Sequence, residues 1–202
     1  MANTTPTVAA KRGRPGYDRE ELLGVCVRAF NQYGYEAASM GMLAQTLGIT
    51  KSAIYHHVTS KEQILEFALN RALESLEEVF EAAETLENIS AIDRVEFVTR
   101  QTVYVLVEQL ENVTLLLRVR GNSVVETQAL KRRRELTNRL SSLVEKAQEA
   151  GDVRKDISAR TVARLIFGMI NSLNVWYKPE RGGNVEKLAD AVVRMAFSGM
   201  TV

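Results

Sequence analysis

The sequence predicts an all-α fold of about nine helices, with a small N-terminal three-helix unit followed by a larger helical body. Three observations predict it. Only three prolines occur in 202 residues and two of them lie in the first fifteen, so little in the body interrupts a helix. Apolar residues recur three and four positions apart along most of the chain. Ser, Asp or Asn stands before most of these periodic runs, and Gly ends several of them. Val103–Val107 alone resembles a strand.

Residues 1–16 read as a disordered arm, small and polar and then basic, with no acid among them. Asp18, with Glu21 three residues on, caps a first helix. Its apolar stripe is Leu22, Val25, Cys26, Ala29, Phe30 and Tyr33, and Gly34 stops it. A short helix from Ser39 to about Thr46, a turn at Leu47–Ile49 and another short helix from Thr50 follow. Ser60 and Gln63 form a capping box for a long acidic helix reaching about Glu84, and Ser90 with Asp93 opens the next. Asn112 and the Arg120–Ser123 stretch predict breaks. A charged helix runs over Val125–Ala150 and stops at Gly151. Ser158 caps a helix to Tyr177, a loop holds Pro179, Gly182 and Gly183, and a last helix spans about Asn184 to Ser198. The predicted division is an arm at 1–16, a DNA-binding unit at 17–62 and a second domain at 63–202.

Composition excludes several classes. Hydrophobic residues make up 46% and charged residues 25%, the balance of a globular protein. No run approaches the roughly 18 apolar residues of a membrane span. The N-terminus lacks a signal-peptide core, which predicts a cytoplasmic protein. Cys26 is the only cysteine, so no disulfide forms within the chain; it reads as an ordinary buried helix residue. The net charge of +1 hides a pattern: residues 61–111 carry four basic and twelve acidic groups, and residues 112–164 carry twelve basic and six acidic groups. The acidic segment reads as a solvated helix surface, and the basic one as the same or as an anion site.

The strongest chemical signal lies between Met40 and Val58. Ala44, Gly48 and Ile54 have the spacing of a helix-turn-helix: a small residue where two helices cross, a glycine for a left-handed turn, and an apolar residue buried against the first helix. Leu43 and Leu47 complete this core, and Thr50 caps the second helix. Lys51, Ser52, Tyr55 and His56 form its exposed face, residue types that suit phosphates and base edges. His56 and His57 diverge by about 100° on a helix, so no metal site is expected.

Residues 18–67 resemble the N-terminal domain of the TetR family of bacterial regulators. The stretch from Gly48 through Ile54-Tyr55-His56-His57 to Ser60-Lys61-Glu62 and Leu65 is similar to that family's signature, as are Phe30 and Tyr33-Gly34-Tyr35. One departure is Val58, where the family usually carries Phe; the smaller residue keeps the packing role and loosens the join to the next helix. The resemblance implies phosphate contacts from Thr50, Tyr55, His57 and Lys61 and base contacts from Lys51, Ser52 and His56. The arm reads either as a minor-groove insertion carried by Arg12 and Arg14 or as a solubilising tail.

The last two helices are apolar around most of their circumference, which requires partners on more than one side. Gly168 and Ser172 permit close helix approach, and with Trp176, Val192 and Phe197 they predict a homodimer through a four-helix bundle. The resemblance implies an effector pocket between Val98 and Trp176. Its candidate walls are Val103, Leu106, Val107, Leu110, Leu116, Leu117, Phe167 and Asn171, each of which also reads as plain core. Arg118, Arg120 and Lys131 to Arg134, including Arg133 and Arg134, place six positive charges in seventeen residues, suited to a phosphate or carboxylate or to pairing with nearby glutamates. Trp176-Tyr177-Lys178-Pro179, Gly182-Gly183 and Leu188-Ala189-Asp190 resemble a TetR subgroup of repressors of fatty-acid, phenylacetate and sterol-ring breakdown. That likeness implies an acyl-CoA thioester as effector and no cofactor. The expectation is a repressor that leaves operator DNA on binding it. Two other readings are weaker. An enzyme lacks a glycine-rich phosphate loop, a metal cluster or a Ser/His/Asp set. A DNA-architectural protein has no use for so large a second domain.

Overall fold

Capping chemistry sets the helix boundaries. A computed structural model describes residues 18–201, so the arm with Arg12 and Arg14 lies outside the described residues. Among them are nine α-helices: α1 (Arg19–Tyr33), α2 (Met40–Leu47), α3 (Lys51–Tyr55), α4 (Lys61–Thr85), α5 (Ala91–Glu108), α6 (Leu110–Arg118), α7 (Val124–Ala150), α8 (Ala159–Trp176) and α9 (Val185–Ser198). Asp18, Ser39, Thr50, Ser60, Ser90, Ser123, Ser158 and Asn184 each accept a backbone N–H from the first turn of the helix they precede. The segment Val103–Val107 lies inside α5 and is no strand.

Two local expectations need correction, and a third gains detail. Gln63 Oε1 accepts from the Thr59 N–H at 2.8 Å, one residue before Ser60, so the return half of that capping box is displaced. The predicted break at Asn112 falls instead at Gln109, with Asn112 inside α6 and its amide donating to Gln109 Oε1 at 2.9 Å. The loop after α8 contains a 3-10 turn at Pro179–Arg181.

Head and body share one apolar cluster. Leu22, Leu23, Cys26 and Phe30 of α1 meet Leu43 and Leu47 of α2 and Ile54 of α3. The cluster continues through Ile64, Leu65 and Leu69 of α4 into α5, α7 and α8. The boundary expected between residues 62 and 63 therefore falls in the first turn of a helix common to both parts. Val58 is 2% exposed and belongs to this core, although smaller than the aromatic residue usual there. Burying a side chain such as Ile54 contributes roughly 1.5–3 kcal/mol.

Charge patterning becomes tertiary structure along α4 and α7. Arg132 of α7 grips Glu77 of α4 through two hydrogen bonds of 2.8 and 2.7 Å and also donates to Asn70 at 2.8 Å. Arg139 pairs with Glu84 at 2.6 Å, one heptad along both helices. Part of the acidic surface of α4 is thus neutralised by α7 rather than by solvent. None of the described helices is long and apolar enough to cross a membrane.

Candidate nucleic-acid interface and effector cavity

The turn between α2 and α3 is built as its residues require. Gly48 sits at φ 67°, ψ 29°, the left-handed region that glycine enters without penalty. The Ile49 N–H donates to Ala44 O and the Gly48 N–H to Gln45 O, both at 3.1 Å, closing α2 with a Schellman motif. Thr50 Oγ1 accepts the Ala53 N–H at 3.1 Å, and Ile54 is fully buried beneath α3. That burial turns Lys51, Ser52 and Tyr55 of α3 and His56 at its C-cap outward, all of them exposed. His57 is half-buried, and its carbonyl accepts from Arg19 Nε. Lys61 Nζ donates to the carbonyl of Tyr35 at 2.8 Å and sits 4.3 Å from that ring's centroid, so it braces the link after α1.

Below this head, α4, α6, α7 and α8 line a half-open cavity of about 400 Å3. Its walls are mostly aliphatic, with Leu76, Val113, Leu116, Leu117 and Leu130 prominent. Phe167 and Asn171 close it from α8. Arg133 enters from α7, half-buried, and donates to Leu116 O at 3.2 Å. Burial holds its guanidinium below the ordinary value. Among the described residues Arg133 makes no ion pair. Arg134 lines the same cavity and is exposed, which puts it at the solvent side.

α6 connects cavity and head. Leu116 and Leu117 face the cavity, while Glu111 pairs with Arg28 of α1 at 3.3 Å. The Asn31 amide donates to Glu111 O at 2.8 Å, and Arg118 donates to Asn31 O. After α6, Glu126 Oε2 accepts the N–H groups of Arg120, Gly121 and Asn122 at 2.8, 2.8 and 3.2 Å. Burial raises this carboxyl, and the three backbone donors outweigh it, so the net shift is downward. A depressed value means stability that is complete above the ordinary glutamate range and lost as pH falls through the depressed one. Replacing Glu126 with Gln should therefore cost roughly 1.5–3 kcal/mol at neutral pH, the worth of a hydrogen bond to a charge. It should also flatten the acid limb of a stability–pH profile measured by urea unfolding; an unaltered acid limb would show that Glu126 does not carry it.

A third feature lies on α8 and α9. Leu165, Val175, Trp176 and Met195 are 61%, 76%, 58% and 72% exposed. Leu165, Gly168, Ser172, Val175 and Trp176 follow helical spacing, so they share one face of α8.

The comparisons agree with this architecture. Residues 22–68 match the model of the bacterial regulatory proteins of the tetR family, and residues 88–200 match the tetracyclin repressor-like C-terminal domain. The chain belongs to the TetR family. A TetR-family regulator from Streptomyces coelicolor A3 is 44% identical, with a TM-score of 0.80 over 90% of this chain and 91% of that one. The HTH-type transcriptional repressor KstR2 of Mycolicibacterium smegmatis is 25% identical over 208 residues, covering 100% of this chain and 96% of the relative. The crystal structure of AibR in complex with isovaleryl coenzyme A and operator DNA shares the fold, with a TM-score of 0.75 at 23% identity over 89% and 97% of the two chains. As a TetR-family member the chain is a DNA-binding transcriptional regulator and not an enzyme. Its partners are operator DNA, a second copy of itself and a small-molecule effector.

Within this TetR-family frame the expected effector residues divide. Leu116, Leu117, Arg133, Arg134, Phe167 and Asn171 meet at the cavity. Val103 and Leu106 do not: both are buried where α5 packs on α4, α7 and α9. Val107 and Leu110 pack against the same core. Arg118 and Arg120 lie at the junction of head and body instead. Leu76, Val113, Leu130, Leu136 and Thr137 also line the cavity and were missed, because helical periodicity marks an apolar face without saying whether it meets a neighbour or a void. Of the dimer candidates, Gly168, Ser172 and Trp176 are exposed, but Val192 is 5% exposed inside the chain and Phe197 packs against the core. The inner face of α9 is taken up by α5, to which Arg100 ties it through Asp190.

Proposed function

We propose that the regulator is released from its operator by an effector with an apolar body and an anionic group, of the acyl-CoA thioester class. The half-buried Arg133, without a carboxylate partner among the described residues and set in an aliphatic wall, carries this reading. A desolvated guanidinium gains most from a phosphate or carboxylate that arrives with the ligand. A cavity of about 400 Å3 holds an acyl chain or a ring system but not a whole coenzyme A, so the nucleotide part lies outside, past Arg134. Isovaleryl coenzyme A in AibR supports the class.

In this reading residues 17–62 form the DNA-binding head and 63–202 the effector and dimerisation body. Lys51, Ser52 and His56 meet base edges in the major groove, while Thr50, Tyr55, His57 and Lys61 contact phosphates. The α8 face with Leu165, Gly168, Ser172 and Trp176 meets its copy in the dimer. Coupling runs along α4, whose Leu76 walls the cavity while Ile64 packs in the head cluster, about 18 Å away along the helix. An effector shifts the head only through its different affinity for the two arrangements.

The test is selection of DNA from a random pool, with and without a mixture of CoA thioesters. Enrichment of a palindrome that thioesters release is the expected result. Enrichment without release removes the acyl-CoA class, and no enrichment removes the operator assignment.

A further inference from the structure

A second cavity, of about 320 Å3, lies where the DNA-binding head meets the body. Phe30 comes from α1, Leu65 from α4, Leu115 from α6 and Val119 from the link after it, so both domains supply apolar wall. Arg118 and Arg120 also line it. Both are exposed, and among the described residues neither makes an ion pair. Two acids also reach this cavity. Glu126 is buried and committed to three backbone N–H groups, so its charge is already compensated. Glu36 belongs to the wall between α1 and α2, on a different element from the arginines. The cavity therefore has apolar wall from two domains and two cations, Arg118 at the end of α6 and Arg120 just after it.

We propose that this junction cavity is a second small-molecule site, distinct from the effector cavity, for a compact aromatic or aliphatic carboxylate whose anionic group meets Arg118 and Arg120. A cavity of this size lies within the range of small-ligand pockets and matches a compact ligand. A ligand there touches Phe30 on one domain and Leu115 on the other. Its binding energy consequently depends on how the head sits on the body, and operator affinity depends on its occupancy. The site stands apart from the effector reading: none of its residues lines the effector cavity.

The experiment is methyl NMR on the full-length protein, titrated with 2-naphthoate as probe. The methyls of Leu65, Leu115 and Val119 report the junction, and those of Leu116, Leu117 and Leu130 report the effector cavity. The expected result is a saturable shift at the junction methyls, weakened about tenfold or more by Arg118→Gln with Arg120→Gln. Arg120→Gln alone leaves the Arg118 contact with Asn31 in place and should weaken binding by a smaller factor. Shifts confined to the effector-cavity methyls, or no saturable shift at the junction, overturn the site. Junction shifts indifferent to both arginine variants overturn the ligand class. Because the two methyl sets are read separately, failure at the junction leaves the effector reading intact, and the reverse holds too.

Discussion

Replacing Leu165 and Trp176 together with glutamate yields a monomer that binds a full operator about 10²–10⁴-fold more weakly than the parent protein. The size follows from linkage: the second head of a dimer binds as an intramolecular event, and that advantage disappears when the heads separate. Both side chains are largely exposed within the chain, so the double substitution should leave each subunit folded. Burying two carboxylates against their symmetry mates in a dimer is strongly unfavourable. Sedimentation and operator titration at one fixed salt concentration check the two halves of this expectation. Persistence of the dimer would move the interface off this α8 face, and a monomer with undiminished operator affinity would separate DNA binding from dimerisation.

The second large effect belongs to Arg133. Substituting methionine keeps an unbranched stem in the aliphatic wall and removes the desolvated charge. Truncating one member of a buried charge pair costs about 2–4 kcal/mol, which is roughly a 30- to 1,000-fold loss of effector affinity. Without effector the direction reverses. A half-buried guanidinium lacking a carboxylate is a liability in the free protein, so Arg133→Met should unfold at an equal or higher temperature. Operator affinity without effector should not change, because Arg133 lies in the body and among the described residues its side chain donates only to Leu116 O. Calorimetric titration and thermal unfolding together test the assignment. Unchanged effector affinity would place the anion elsewhere, and a lowered melting temperature would make Arg133 a structural residue.

The head was legible because its determinants are local. Ser39, Gly48, Thr50 and Ile54 act through bonds and contacts within a few residues, and each does so at its expected position. The cavity was only half legible because its determinants are tertiary. Consecutive residues on a helix point about 100° apart, so a run of four cations spreads over more than one destination. Arg132 reaches α4, Arg133 and Arg134 reach the cavity, and Lys131 lies near Glu135 on its own helix. Val103 and Leu106 have the same apolar character as Leu116 and Leu117, and only the packing of α5 against its neighbouring helices sets them apart. The break at Gln109 carries no glycine, proline or capping side chain, whereas Asn112 carries a breaker's composition inside an intact helix.

The paired anchors between α4 and α7 divide the cavity beneath the head into a conservative half and a variable half. Glu77 with Arg132 and Glu84 with Arg139 are offset by seven residues on each helix, so sliding one helix past the other by a single turn breaks both pairs at once. Leu76 and the α7 lining residues, Arg133 among them, are mounted on this latched pair, and the rest of the wall comes from α6 and α8. Substitutions at Leu117, Phe167 or Asn171 can therefore re-cut the chamber for a different molecule while leaving the latch, and the head mounted on it, in place. New ligand preferences can accumulate along this lineage one wall residue at a time, without first relearning how to respond.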